Sequence, residues 1–205
     1  MFTGIVGHIG RFRGFRQGKK EMAVEAPGLG PGIAVGDSVA VNGVCLSVIR
    51  KDGGVLFFNL SRETLDCSTM GILRPGAEMN LETPLTLAAP LGGHLVSGHV
   101  DFTSRLLRLV PKKPGRRLVF SLPSAFKPYF VTKGSVAVDG VSLTVAALEP
   151  ASFEVEIIPL TLEKTSLGRL KGGDVVNVEC DMIGKYVYNW ITRTQKSSSR
   201  TEPYG

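Results

Sequence analysis

The chain has 205 residues, 43% of them hydrophobic and 20% charged, with a formal net charge of +6 at pH 7. This balance is ordinary for a globular protein: no apolar run approaches the roughly 20 residues a membrane helix needs, and Met1-Phe-Thr-Gly-Ile-Val lacks the basic-then-apolar order of a secretory signal. Three widely spaced cysteines, Cys45, Cys67 and Cys180, support neither a disulfide framework nor a paired-cysteine zinc site, so the expectation is a soluble, cytoplasmic protein with free thiols.

In chain order, the runs Phe2–Val6, Met22–Glu25, Ser38–Val41, Leu46–Ile49, Val55–Leu60 and Met79–Glu82 read as short strands. Gly, Pro or Asp-Gly punctuates them at the roughly 8- to 12-residue cadence of a small all-β barrel or sandwich. Asn42-Gly43 sits between two strand-like runs and reads as a tight hairpin turn, because both residues tolerate positive φ. Side chains alternate along the strand that follows, so Cys45 and Ser47 share one face while Leu46 and Val48 share the other. Thr64–Gly71 reads as a short helical turn stopped by glycine. Pro84 and Pro90 bracket an apolar linker unsuited to a central strand.

From there the chain repeats itself. Val41-Asn-Gly-Val-Cys-Leu-Ser-Val48 returns as Val138-Asp-Gly-Val-Ser-Leu-Thr-Val145, at an offset of 97 residues from Cys45 to Ser142. Thr64, Leu65, Gly71, Asn80 and Glu82 recur in the same register as Thr161, Leu162, Gly168, Asn177 and Glu179. Thr3-Gly-Ile-Val6 and Ser97-Gly-His-Val100 match at the slightly different offset of 94. Two blocks in one register imply an internal duplication, with a first domain over 1–91 and a second over 92–182. Ile183, Val187, Trp190 and Ile191 then fall at helical spacing, giving an amphipathic helix over 183–196. Residues 197–205 read as a flexible basic tail.

Many of the cations sit in local runs such as Lys112-Lys113, Arg116-Arg117 and the tail beyond Arg193, which fit solvated loops and a loose basic tail better than a nucleic-acid face. Phe57 and Phe58 are adjacent rather than interleaved with cations, which also argues against a single-strand-binding barrel. His94 and His99 lie in the glycine-rich stretch Gly92–His99. They have no third ligand nearby, so a metal is not expected. The glycines suit a backbone brought close to a flat ligand.

Met1-Phe-Thr-Gly-Ile-Val, Asn42-Gly-Val-Cys-Leu, Gly92-Gly-His-Leu-Val-Ser-Gly-His-Val-Asp101, Lys133-Gly-Ser and Asp139-Gly-Val-Ser-Leu-Thr, with the two Thr-Leu helical turns, together resemble riboflavin synthase of the alpha-chain type. The resemblance runs from Met1 to about Tyr188. It implies two tandem six-stranded Greek-key barrels and a C-terminal helix that gathers three chains into a homotrimer. It also implies a cofactor-free dismutation of two 6,7-dimethyl-8-ribityllumazine molecules, in active sites between subunits, and leaves open association with a lumazine synthase. A non-catalytic lumazine- or flavin-binding protein of the same fold is the alternative.

The resemblance places substrate contacts on Thr3, Gly4, Ile5 and Val6, on Ser38, Cys45, Leu46 and Ser47, and on Asn59, Leu60, Ser61, Arg62, Glu63 and Thr64, grouped as the first barrel. The matching group in the second is Gly98, His99 and Val100, Ser142, Leu143 and Thr144, and Ile158, Pro159, Leu160, Thr161, Leu162 and Glu163, with Lys133 reaching across from a partner chain. The reaction needs a base for the 7-methyl proton and a nucleophile at C7. His99 is the candidate base, and Cys45, Ser142 and Asp181 are candidates for nucleophile activation or proton transfer. Against these stand plainer roles: Cys45 as a buried small hydrophobe, Ser142 as strand packing, Asp181 as a helix N-cap, and His94 as structural. Three departures from the family pattern are Leu160 where a polar residue is usual, Cys67 for an arginine and Phe102 for a glycine. The contrasts Cys45/Ser142 and Glu63/Leu160 are where donor and acceptor pockets are expected to differ.

Overall fold

The computed structural model describes residues 1–29 and 32–198, the last three as backbone alone. From residue 199 onward the expected basic tail lies outside the described residues. The first barrel closes from β1 (His8–Arg16), β2 (Glu21–Glu25), β3 (Ser38–Val41), β4 (Val44–Asp52), β5 (Val55–Asn59) and β6 (Glu78–Glu82), with α1 (Arg62–Cys67) and a 3-10 turn (Thr69–Ile72) between the last two. The second closes from β7 (Phe102–Lys112), β8 (Gly115–Ser121), β9 (Ser135–Val138), β10 (Val141–Leu148), β11 (Ser152–Ile157) and β12 (Val175–Cys180), with α2 (Pro159–Lys164) and a 3-10 turn (Ser166–Arg169) in the matching place. The helix α3 (Met182–Ser198) follows.

Both barrels close in one order: β1-β2-β5-β4-β3-β6 in the first, and the same order six strands later in the second. Even the irregularities are duplicated. Register shifts fall between Phe12 and Gly14 and between Leu106 and Arg108, and again between Val48 and Arg50 and between Val145 and Ala147. A bulge bends and twists its strand, which is how a six-stranded sheet turns a corner tightly enough to close. Alternation sends Phe12, Met22, Phe58 and Leu81 into one core and Leu106, Phe120, Phe153 and Val178 into the other, all fully buried. Each such side chain contributes about 1.5–3 kcal/mol by leaving water.

The hairpin tips behave as their residues dictate. Asn42 and Gly43 lie at φ +44° and +77°, Asp139 and Gly140 at +44° and +76°, the left-handed pair that a two-residue turn requires. The tips meet at a pseudo-two-fold axis, where a Cβ built on Gly43 would come within 2.7 Å of the Gly140 amide. Asn80 Nδ2 donates to Asp139 O at 2.9 Å, and Asn177 Nδ2 donates to Asn42 O at 2.8 Å. Each barrel thus holds the other's tip.

One expectation fails at the start of the chain. Phe2–Val6 is not a barrel strand: only Phe2 is paired, to Val96. The first strand of the first barrel is instead His8–Arg16, paired to β2 on one side and β6 on the other. Phe2 is buried with Val96, Ala40 and Ala137 in a small core between the barrels, and beyond it the opening segment leaves its own barrel. Val6 packs on the core of the second barrel, while Val100, its equivalent, packs on the core of the first. The two halves exchange their opening segments, so each barrel is completed by residues from the other half.

Candidate functional site

The exchange is fixed by one carboxylate in each half. Glu82 accepts from Thr3 N–H and Thr3 Oγ1–H, both at 2.7 Å, and from Gly4 N–H at 3.0 Å. Glu179 accepts from Ser97 N–H (2.7 Å), Ser97 Oγ–H (2.8 Å) and Gly98 N–H (2.9 Å). Burial raises the Glu82 pKa, and the Thr3 and Gly4 hydrogen bonds work against that rise. Neither glutamate stands out in sequence as a site residue, because its task is to aim backbone rather than to meet a ligand.

What it aims is a glycine onto the repeat motif of the other barrel. Gly98 O accepts Cys45 N–H at 2.8 Å, and Gly4 O accepts Ser142 N–H at 2.8 Å. A Cβ on Gly98 would lie 2.5 Å from Cys45 Cβ, and one on Gly4 would lie 2.6 Å from Ser142 Cβ. Both glycines also have positive φ, +82° and +76°. The glycines therefore admit a crossing strand, not a flat ligand. The grouping by barrel is corrected accordingly: Gly98–Val100 stand with Cys45, and Gly4–Val6 stand with Ser142.

On the first barrel, Cys45, Ser61, Glu63, Thr64, Cys67, Gly98, His99 and Val100 line a cavity of about 460 Å³. Ser61 caps α1, its Oγ accepting Thr64 N–H at 3.0 Å, which presents Glu63 and Cys67 to the cavity. The expected run 59–64 divides around this helix. Asn59, Leu60 and Arg62 turn to a separate cavity of about 790 Å³ with Gln17, Lys19 and Lys20. Leu46 and Leu143 point into the barrel cores. Ser47 and Thr144 lie on the exposed face, opposite Ser38 and Ser135.

The second barrel offers a different surface. Where the first places Ser61, Glu63, Cys67 and His99, the second has Ile158, Leu160, Lys164 and Ile5. Ile158, Leu160 and Ile5 are exposed. Pro159 opens α2 in place of a side-chain cap, Leu162 packs on the core, and Thr161 and Glu163 complete the helix. At its centre, Ser142 Oγ lies 2.7 Å from His94 Nδ1. Burial lowers the His94 pKa, and the negative charge of Asp181 partly offsets this. The result is a neutral imidazole against a hydroxyl, with a carboxylate near enough to steady the imidazolium. Asp181 also caps α3, its Oδ1 accepting Ile183 N–H at 3.0 Å.

Sequence reasoning set His94 aside as structural. The signal that could have found it is Gly93, where a Cβ would strike Thr3 O at 2.2 Å and Ser142 Oγ at 2.9 Å. Lys133 is exposed at φ +70°, where the first repeat has Gly36 at φ +97°. A lysine in this left-handed conformation costs on the order of 1–2 kcal/mol. Among the described residues no cluster of three or more His, Cys, Asp or Glu side chains is arranged to hold a metal ion, and no helix is long and apolar enough to cross a membrane.

Comparison with known proteins follows this duplication. The model of the lumazine binding domain matches twice, at residues 3–84 and 97–181. The chain is 41% identical to the riboflavin synthase of Mycobacterium tuberculosis (strain ATCC 25618 / H37Rv), covering 91% of this chain and 96% of that one. It is 35% identical to the riboflavin synthase of Bacillus amyloliquefaciens, over 97% and 94% of the two chains. Among solved structures, LumP complexed with 6,7-dimethyl-8-(1'-D-ribityl) lumazine superposes with a TM-score of 0.78 at 21% identity, covering 87% of this chain and 98% of that one. That last likeness speaks for the fold.

Proposed function

We propose, on the premise that this chain belongs to the riboflavin synthase family of paired lumazine binding domains, that the two unlike faces centred on Cys45 and Ser142 are the two halves of one bimolecular reaction. The activity is that of riboflavin synthase. Two molecules of 6,7-dimethyl-8-ribityllumazine exchange a four-carbon unit, giving riboflavin and 5-amino-6-ribitylamino-2,4-pyrimidinedione. Holding two like reactants in near-attack geometry supplies roughly 7–11 kcal/mol of such a barrier. The observation that carries the reading is the crossed exchange, which sets a glycine of each half against Cys45 on one barrel and Ser142 on the other and surrounds the two with different side chains.

In this reading the part-buried Ser142–His94 pair is the proton acceptor: the hydroxyl passes its proton to the neutral imidazole at Nδ1 as its oxygen takes one from a 7-methyl group or from the nucleophile that adds at C7. Asp181 stabilises the cation so formed. In the first cavity Cys45 and His99 meet the other lumazine, with Glu63 and Ser61 in reach of its polar edge. The exposed stripe Ile183, Tyr186, Val187, Trp190 and Ile191 on α3 supports a homotrimer, in which a partner's Lys133 would complete the site. Free thiols at all three cysteines support a cytoplasmic setting. Association with a lumazine synthase stays a secondary proposal.

The test is to mix the purified protein with the lumazine and follow riboflavin by its absorbance. Turnover without added cofactor is expected, whereas tight binding without product would select the non-catalytic alternative. Deleting α3 from Ile183 onward is expected to yield a single-chain mass in sedimentation together with loss of turnover. An unchanged mass would refute the trimer role.

A further inference from the structure

The duplicated chain fastens its two crossing segments unequally. In each half a glutamate near the end of the last barrel strand holds the start of the segment: Glu82 accepts from Thr3 and Gly4, and Glu179 accepts from Ser97 and Gly98. Past that point the halves differ. At the offset of 94 residues Gly7 stands against Asp101, and a Cβ built on Gly7 would meet nothing within 4 Å. Asp101, by contrast, donates its N–H to Val178 O at 2.9 Å, and its Oδ2 accepts both Cys180 N–H at 2.7 Å and the Lys185 ammonium at 2.6 Å. One carboxylate oxygen therefore ties the crossing segment to the end of β12 and to the first turn of α3.

The side chain between these holds differs too. His99, exposed and lining the first-barrel cavity, is clasped from both sides, by Glu179 through Gly98 and by Asp101 two residues on. Among the described residues Ile5, its counterpart, has a carboxylate hold on one side only. The extra fastening falls on the half that carries an imidazole, whose ring nitrogens act along fixed directions, whereas an isoleucine contributes apolar surface without regard to direction. The far end of the fastening is firm. A Cβ on Gly184 would lie 2.8 Å from Tyr129 O, and Tyr188 meets the Tyr129 ring edge-on with centroids 5.3 Å apart. The side chains of Asp101 and Lys185 are only 19% and 29% exposed, so salt screens the pair less than it would a surface pair.

We propose that Lys185, acting through Asp101, is a positioning residue that aims His99 into the first-barrel cavity. That His99 meets a lumazine there rests on the functional reading above; the fastening of its segment does not. The same helix start carries Asp181, whose charge acts on His94. The root of α3 thus steadies both histidines, apart from any contact its exposed stripe makes with other chains.

Lys185→Met removes the ion pair, and Asp101→Asn does so while keeping an acceptor for Cys180 N–H. Each is expected to lower the single-turnover rate of riboflavin formation about 10-fold, within the factor of about 10² that a misplaced reacting group can cost. Lys185→Arg should restore most of the rate. In a His99→Ala background Lys185→Met should cost little more, because the group being aimed is gone. An equal loss in both backgrounds would show that Lys185 acts on something other than His99 and would overturn the proposal. The sedimentation mass of Lys185→Met should match that of the native chain, since Ile183, Val187 and Trp190 remain in place; a reduced mass would assign the residue to assembly instead.

A second measurement is independent of turnover. The Cys45 amide, which donates to Gly98 O, should exchange its hydrogen several-fold faster in Lys185→Met, while the Ser142 amide, held by Gly4 O without this fastening, should be unchanged. Equal changes at both amides, or none, would sink the fastening. A native chain that forms no riboflavin would sink the functional reading alone, because amide exchange is read in the same protein without substrate.

Discussion

His94→Ala is expected to slow riboflavin formation by about 10²- to 10⁴-fold, the range that a positioned proton acceptor supplies. Ser142→Ala should lose a comparable factor, and the double variant should be little worse than either single, because Ser142 Oγ and His94 Nδ1 act as one unit across 2.7 Å. Single-turnover absorbance with excess enzyme is the suitable measurement, since it isolates chemistry from product release. Losses that multiply would show that the two residues serve separate steps and would sink the pairing. The pH profile adds a sign. Only the neutral imidazole accepts a proton, and burial lowers the His94 pKa, so turnover should persist further into acid than an ordinary histidine would allow. His94→Gln should abolish that acid limb while leaving the fold intact.

The duplication, the hairpin tips and the all-β class were legible because each rests on local chemistry, while the six-stranded Greek-key barrels came from the family resemblance. Asn42-Gly43 and Asp139-Gly140 announce positive φ, and strict alternation around Cys45 and Ser142 announces strands. The pairing of site residues was not legible, for a physical reason. A fixed offset relates Gly4 to Gly98 and Cys45 to Ser142, but it is silent on which glycine visits which strand. The answer lies in contacts across most of the chain, such as Ser142 N–H to Gly4 O, held by Glu82. β1 was missed because His8–Arg16 interleaves Gly10 and Gly14 with four arginines or histidines, diluting the apolar period. Asn59–Thr64 looked like one binding run, but the capping of α1 by Ser61 turns its residues to two separate cavities.

Asp139→Asn is expected to remove a pH dependence of stability that its counterpart, Asn42, cannot have. Asp139 is buried at the axis with one hydrogen bond to its carboxylate, from Asn177 N–H at 2.8 Å. Burial pushes its pKa up to about 7, and that hydrogen bond offsets only part of the rise. The sign follows from proton uptake. Between about pH 4 and 7 the unfolded carboxyl is ionised while the folded one keeps its proton, so stability from this group is full below pH 4 and falls as pH rises to 7. Over that window the loss is on the order of 4 kcal/mol, three pKa units at about 1.4 kcal/mol each. Asparagine keeps the Oδ1 acceptor and tolerates the φ of +44°, as Asn42 does in accepting Asn80 N–H at 2.7 Å. Urea midpoints measured from pH 5 to 8 should therefore fall less steeply for Asp139→Asn than for the native chain, with the variant the more stable at pH 8. Other groups titrate in the same range, but they are common to both proteins and cancel in the difference. The reverse substitution, Asn42→Asp, places a second carboxyl in the same burial and should steepen the fall. Parallel curves for all three chains would mean that Asp139 is ionised in the folded protein and that the neighbouring Arg74 and Arg169 hold its charge.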